Sequence, residues 1–225
     1  MTIFAENCQR TKNIIMKLEN YNEQQAKLPK TGQHIIAETD AETITVYQAF
    51  NPQISKYAVA NQRFGGNHYS FNRMTWIKPN FMWMMYRAGW ATKINQERIL
   101  AVKLKKEGFE KILLEAVASS FKPKIYDSHE DWKARLRESP VRLQWDPDHN
   151  PTGEKLERKA IQIGLKGDIL QQFNDKWITE IQDITPFVKQ QHKFVKGDFS
   201  QLKVPIENVV NYNNRQDIID NIGLD

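Results

Sequence analysis

The residues best suited to chemistry crowd into RMTWIKPNFMWMMYRAGW, residues 73–90, which holds three of the six tryptophans and four of the six methionines. Arg73 and Lys78 flank Trp76 at its start, and positive charges beside an aromatic ring suit a flat, anionic ligand. Two uncharged amides, Gln48 and Gln162, and two carboxylates, Glu97 and Asp146, lie in or next to segments that read as strands. Each has a structural alternative. The amides can satisfy backbone groups, Glu97 beside Arg98 can form a solvated ion pair, and Asp146 can shape a turn before Pro147. Trp76 and Tyr86 can equally be core aromatics. The phosphate loop, the dinucleotide glycine motif, the nucleophile elbow and the zinc-protease motif are all absent. Five histidines are scattered through polar or loop contexts, none at metal-ligand spacing from another, so no metal is expected.

What positions these residues must be one fold of modest size. The chain has 225 residues, 40% hydrophobic and 26% charged, which suffices for one core but cramps two. Its formal charge of +5 favours anionic partners. The single Cys8 rules out an internal disulfide, and the start MTIFAENCQRTKN lacks the pattern of a secretory signal, so a cytoplasmic location is expected. No run approaches the roughly 18 apolar residues of a membrane span, so the apolar stretch 81–85 is a buried helix and no membrane partner is expected.

Along the chain, Ile14, Ile15, Leu18 and Tyr21 predict a weakly amphipathic helix over 11–27, an appendage within residues 1–33. TITVYQAF predicts a strand stopped by Asn51-Pro52, with a short helix after it. Lys78-Pro79-Asn80 opens the aromatic helix and Gly89 ends it. That helix is apolar nearly all round and must be buried on more than one side. RILAVKL predicts a strand covered on one face and partly open on the other. A helix follows through Phe109, Ile112 and Val117, then one capped by Ser128, then the strand PVRLQW, the loop DPDHNPTG and the strand KAIQIGL. Asp168 is expected to cap a last helix through Ile181, and residues 193–225 read as a polar tail. The order is that of an α+β domain over residues 34–192.

The strings TITVYQAF, RMTWIKPNFMWMMYRAGWATKINQERILAVKL, SPVRLQWDPD and IQIGLKGD resemble the bacterial and fungal proteins grouped as domain of unknown function 4291, over residues 35–190. A more distant resemblance bears on mechanism. The order of VYQAF strand, short helix, TWIKP, helix, RILAVKL strand and IQIGL strand is similar to the core of ADP-ribosyltransferases. It implies a split mixed or antiparallel sheet with flanking helices. In that superfamily a Val-Tyr-His-Gly type motif on the first strand holds NAD through its histidine. Here Tyr47 is retained and Gln48 stands at the histidine position. The resemblance gives Trp76, and farther along Tyr86, the place of aromatics that stack on nicotinamide, and puts Gln162 where the superfamily has a glutamate.

Cleaving the nicotinamide bond develops positive charge on the ribose, so the site needs a stacking surface and a negatively charged acceptor. Neutral Gln162 cannot supply that charge, which moves the role to Glu97 or Asp146. Arg73, Lys78 and Arg158 are then available for the diphosphate. The resemblance thus implies NAD as substrate, a nucleotide ligand, and a protein or nucleic-acid acceptor. Two alternatives stay open. One is a non-catalytic nucleic-acid-binding module using KLKK, Lys122, Lys124, Arg135, Arg137 and Arg142; the other is a degenerate transferase fold kept for protein interaction.

Overall fold

A computed structural model describes residues 16–225. The start of the helix expected over 11–27 lies outside the described residues, as does Cys8. Within them, Leu18–Asn20 is strand β1, and the helix α1 begins only at Tyr21 and runs to Lys27, capped by the Asn20 side chain, which accepts from the Asn22 amide. After β2 (Ile36–Ala37) comes β3 (Thr43–Phe50), and Asn51 then caps α2 (Pro52–Asn61) by accepting from the Ile54 amide, with Pro52 in the first turn. β4 (Thr75–Ile77) leads to α3 (Phe81–Ala88). The Asn80 side chain accepts from the Trp83 amide, and Gly89 closes the helix in the left-handed conformation, as the sequence predicts.

β5 (Arg98–Lys105), α4 (Lys106–Leu114), β6 (Ala116–Ala118) and α5 (His129–Glu138) follow, the last capped by Ser128. β7 (Val141–His149) and β8 (Lys155–Leu165) form a long hairpin. The expected Asp-Pro turn is not one: Asp146 and Pro147 lie inside β7, and the ladder shifts register between Pro147 and His149, the kind of irregularity that accommodates a proline. α6 (Gly167–Gln172) passes through one π-helical turn into β9 (Ile178–Asp183). The helix expected to reach Ile181 therefore stops short, and Asp168 sits in the first turn without capping it.

Two principal sheets carry the fold, which is mixed α+β. One is antiparallel, in the order β3-β5-β9; the other runs β4-β8-β7-β6, with only β6 and β7 parallel. They meet at one bridge, where the Tyr47 amide donates to the Lys78 carbonyl at 2.7 Å and the Lys78 amide returns a bond at 3.2 Å. On β5 the face carrying Leu100, Val102 and Leu104 is fully buried, while the other is covered at Ile99 and Ala101 and half-open at Lys103, as the pattern of RILAVKL predicts. Leu100, Val102 and Leu104 enter one hydrophobic cluster, while Ile99 and Ala101 enter another with α3 and α7 (Thr185–Gln191).

The stretch expected as a polar tail is woven into the body. β10 (Lys203–Pro205) pairs with β1, β11 (Asn208–Val209) pairs with β2, and α8 (Gln216–Ile222) turns Ile218 and Ile222 into the main core. Two isoleucines four residues apart give a short helix one apolar stripe, which suffices against α4 and β6. The indole of Trp145 also donates to the Ile222 carbonyl at 2.8 Å. The N-terminal segment is held likewise: Tyr21 is buried and the Gln24 amide donates to the Pro205 carbonyl at 2.7 Å.

Candidate functional site

Side chains alternate along a strand, so residues directly opposite one another across a ladder share a face. In the four-stranded sheet Ile77, Ile163 and Leu143 stand in register and are buried in the main core. The opposite face carries Trp76, Gly164 and Arg142 in one row and Gln162 with Gln144 in the next, and Asp146 follows on β7. Trp76, Arg142, Gln144, Asp146 and Gln162 are all half-buried, so this polar face is neither core nor open surface. Lys78 extends it two residues beyond Trp76, at the bridge between the sheets.

The carboxylate at the centre is fixed from both sides. Gln144 Nε2 donates to Asp146 Oδ1 and Gln162 Nε2 to Asp146 Oδ2, each at 2.8 Å. The neutral Gln162 therefore orients an acid instead of replacing one. A side chain on Gly164 would collide with the Met74 side chain first and come within 3.1 Å of Trp76 Cε2, so glycine leaves room for both over the strand. Among the described residues, Arg142 keeps a buried Nε with no hydrogen-bond partner.

Lys78 is buried, with only 4% of its surface exposed. Burial pushes its amine down to about 8, the Arg87 charge pushes the same way, and Asp146 opposes them. It belongs to none of the ion pairs found among the described residues, so Asp146 acts on it from beyond ion-pair distance.

The other residues expected at a site are placed elsewhere. Gln48 is on the core side of β4, its amide spent on Thr75 Oγ1 at 2.7 Å and the Trp76 carbonyl at 3.3 Å, so it holds the strand from behind. Tyr47 is fully buried edge-on against Phe81, its hydroxyl unpartnered and its pKa pushed well up by burial. Glu97 accepts the Asn95 amide at 2.9 Å in the loop before β5. Tyr86 is partly exposed, but its ring is stacked on His149 with centroids 3.4 Å apart, leaving that face filled. Arg73 is exposed in the loop just before β4. Arg158, expected at a diphosphate, is engaged within the fold. Its guanidinium donates to Asp148 at 2.7 Å, to Gln25 at 2.7 Å and to the Pro29 carbonyl at 3.2 Å, which locks it inside the protein.

Sequence reasoning missed three residues. Arg142 figured only as part of a basic surface and Gln144 not at all, although Arg142, Gln144 and Asp146 alternate in VRLQWD and so announce one polar strand face. His149, expected in a loop, is buried at the end of β7 with both ring nitrogens unpartnered among the described residues, and burial lowers its pKa. The basic run KLKK is partly neutralised, Lys103 by Glu180 at 3.6 Å and Lys105 by Glu107 at 3.9 Å.

Among the described residues no group of three or more His, Cys, Asp or Glu gathers as metal ligands, and no helix is long and apolar enough to cross a membrane. No curated protein matches the chain. A family model does match, across residues 34–210, which include every residue of the polar face. The chain belongs to that family, described as Domain of unknown function (DUF4291).

Proposed function

We propose that the polar face of the four-stranded sheet binds NAD or a related nucleotide and that the protein transfers ADP-ribose to a protein or nucleic-acid acceptor. The observation that carries this reading is the Asp146 carboxylate, held by two amides on the same sheet face as Trp76 and Lys78. Bond cleavage sends the electron pair to the nicotinamide nitrogen and leaves positive charge on the ribose. A carboxylate already oriented there stabilises that charge without reorganising. Trp76 supplies the flat surface for a planar ring. Lys78, Arg142 and Arg73 supply positive charge for the diphosphate.

Calorimetry with NAD, ADP-ribose and ATP, with nicotinamide release followed in the same samples, tests the reading. Asp146→Asn should bind NAD within a few-fold of the parent and lose about 100-fold or more in nicotinamide release. Trp76→Ala should weaken NAD binding while the fold persists. Failure of the parent to bind any of the three nucleotides sinks the proposal. A nucleic-acid surface has less support, because Lys103 and Lys105 of the basic run are already paired with carboxylates.

A further inference from the structure

An amine is a nucleophile only as the free base, and a protein raises that fraction by removing water and withholding a counter-ion. Lys78 meets both conditions: it is 4% exposed and takes part in no ion pair among the described residues. With its amine near 8, about a tenth is free base at neutral pH, on the order of 300-fold more than for an ordinary lysine. Its neighbours on the same face add the rest of a recognition pattern. Arg142 has an unfilled buried Nε, which suits an anion; Trp76 suits a flat group; the Asp146 oxygens accept hydrogen bonds. A buried cation that is not paired is costly, so an arrangement that keeps one on the same sheet face as an unfilled guanidinium donor points to a ligand.

We propose that Lys78 is a nucleophile that captures the carbonyl carbon of a phosphorylated aldehyde or ketone as an imine. Nζ adds to the carbonyl carbon to give a carbinolamine. The carbonyl oxygen then leaves as water, taking both amine hydrogens, and a C=N bond remains. The step consumes no oxidant or reductant, and hydrolysis reverses it. The phosphate faces Arg142. This inference shares its face of the sheet with the nucleotide reading without needing NAD; where that reading also holds, ring-opened ADP-ribose is itself a phosphorylated aldehyde.

The test uses the full chain and pyridoxal 5′-phosphate, a flat phosphorylated aldehyde, followed by borohydride reduction and peptide mass mapping. The label should concentrate on Lys78, with labelling half-maximal near pH 8. Pyridoxal, which lacks the phosphate, should label Lys78 about tenfold less, and Arg142→Gln should bring the phosphorylated probe down to that level. Label spread over exposed lysines with Lys78 untouched in the folded protein overturns the proposal, as does Lys78 labelling that rises only above about pH 10, like an ordinary lysine. Because Lys78 is mapped in the unsubstituted protein, no variant has to fold for the test to decide. NAD binding is read separately, so a labelled Lys78 with no NAD binding removes the transferase reading alone, and the reverse removes the imine alone.

Discussion

Lys78→Met should make the protein more stable at neutral pH, and the gain should fade as the pH rises. The parent amine falls from 10.5 in a free chain to about 8 when folded. Because the folded pKa is the lower, the unfolded chain binds more protons between these values, and stability climbs with pH across that window. Below it the whole cost is present. At pH 7 the 2.5-unit difference is worth about 3 kcal/mol; by pH 10 only about 1 kcal/mol remains. Methionine keeps an unbranched stem of similar length and removes the charge, so it recovers this cost with little change in packing. Urea denaturation of parent and variant at pH 7 and pH 10 measures the difference directly. A variant less stable than the parent at both pH values by the same amount would refute the reasoning. It would mean that the stem, not the unpaired charge, decides the energetics of this position.

Other expectations follow from single residues. Gly164→Ala should displace the Met74 side chain, which the added carbon meets first, and crowd Trp76, whose ring it approaches to 3.1 Å; nucleotide affinity in calorimetry should drop, with an overpacking cost of about 1–3 kcal/mol. Glu207 is fully buried and accepts the Phe81 amide at 2.7 Å, while burial together with the charges of Asp148 and Glu38 raises its pKa well above the ordinary value. A raised carboxyl pKa means stability is highest below the unfolded value of 4.5 and falls as the pH rises through the folded one. Glu207→Gln should therefore flatten the stability profile above pH 4.5 while keeping the acceptor for Phe81, as thermal melts across pH can show. Arg158→Leu should cost about 3–5 kcal/mol by stranding Asp148 in the interior, and the double change with Asp148→Leu should recover much of that loss in the same denaturation experiment.

Where a local signal existed, the sequence could be read. Asn80, Ser128 and Gly89 act within a few residues of themselves, and the helix boundaries they mark are those observed. The C-terminal stretch defeated such reading because its apolar residues are few and widely spaced. Leu202, Val204, Ile218 and Ile222 become core only through strands β1 and β2 and helix α4, far off in sequence. The site was half legible for the same reason. Alternation within VRLQWD shows which side chains share a face of β7, but only the register with β8 and β4 puts Asp146 beside Gln162 and Arg142 across from Trp76. The burial of His149 left no trace, since DPDHNPTG has the composition of an exposed turn.

The two buried cations show most clearly what geometry adds. In sequence, Lys78 and Arg158 are equivalent positive charges near strands. In the fold, Arg158 answers its desolvation with a carboxylate, an amide and a backbone carbonyl, and in doing so ties the β7–β8 hairpin to the N-terminal segment. That is a structural use, complete without a ligand. Lys78 is as deeply placed, but its nearest accounted influences are a like charge at Arg87 and a carboxylate beyond ion-pair distance whose two oxygens already accept from Gln144 and Gln162. Its charge gives the fold nothing to offset a cost of about 3 kcal/mol. An uncharged side chain of similar length would avoid that cost, which points to a use for the amine outside the fold itself. The amine's free base, its position at the junction of the sheets and its acidic neighbour make ligand chemistry the use that fits.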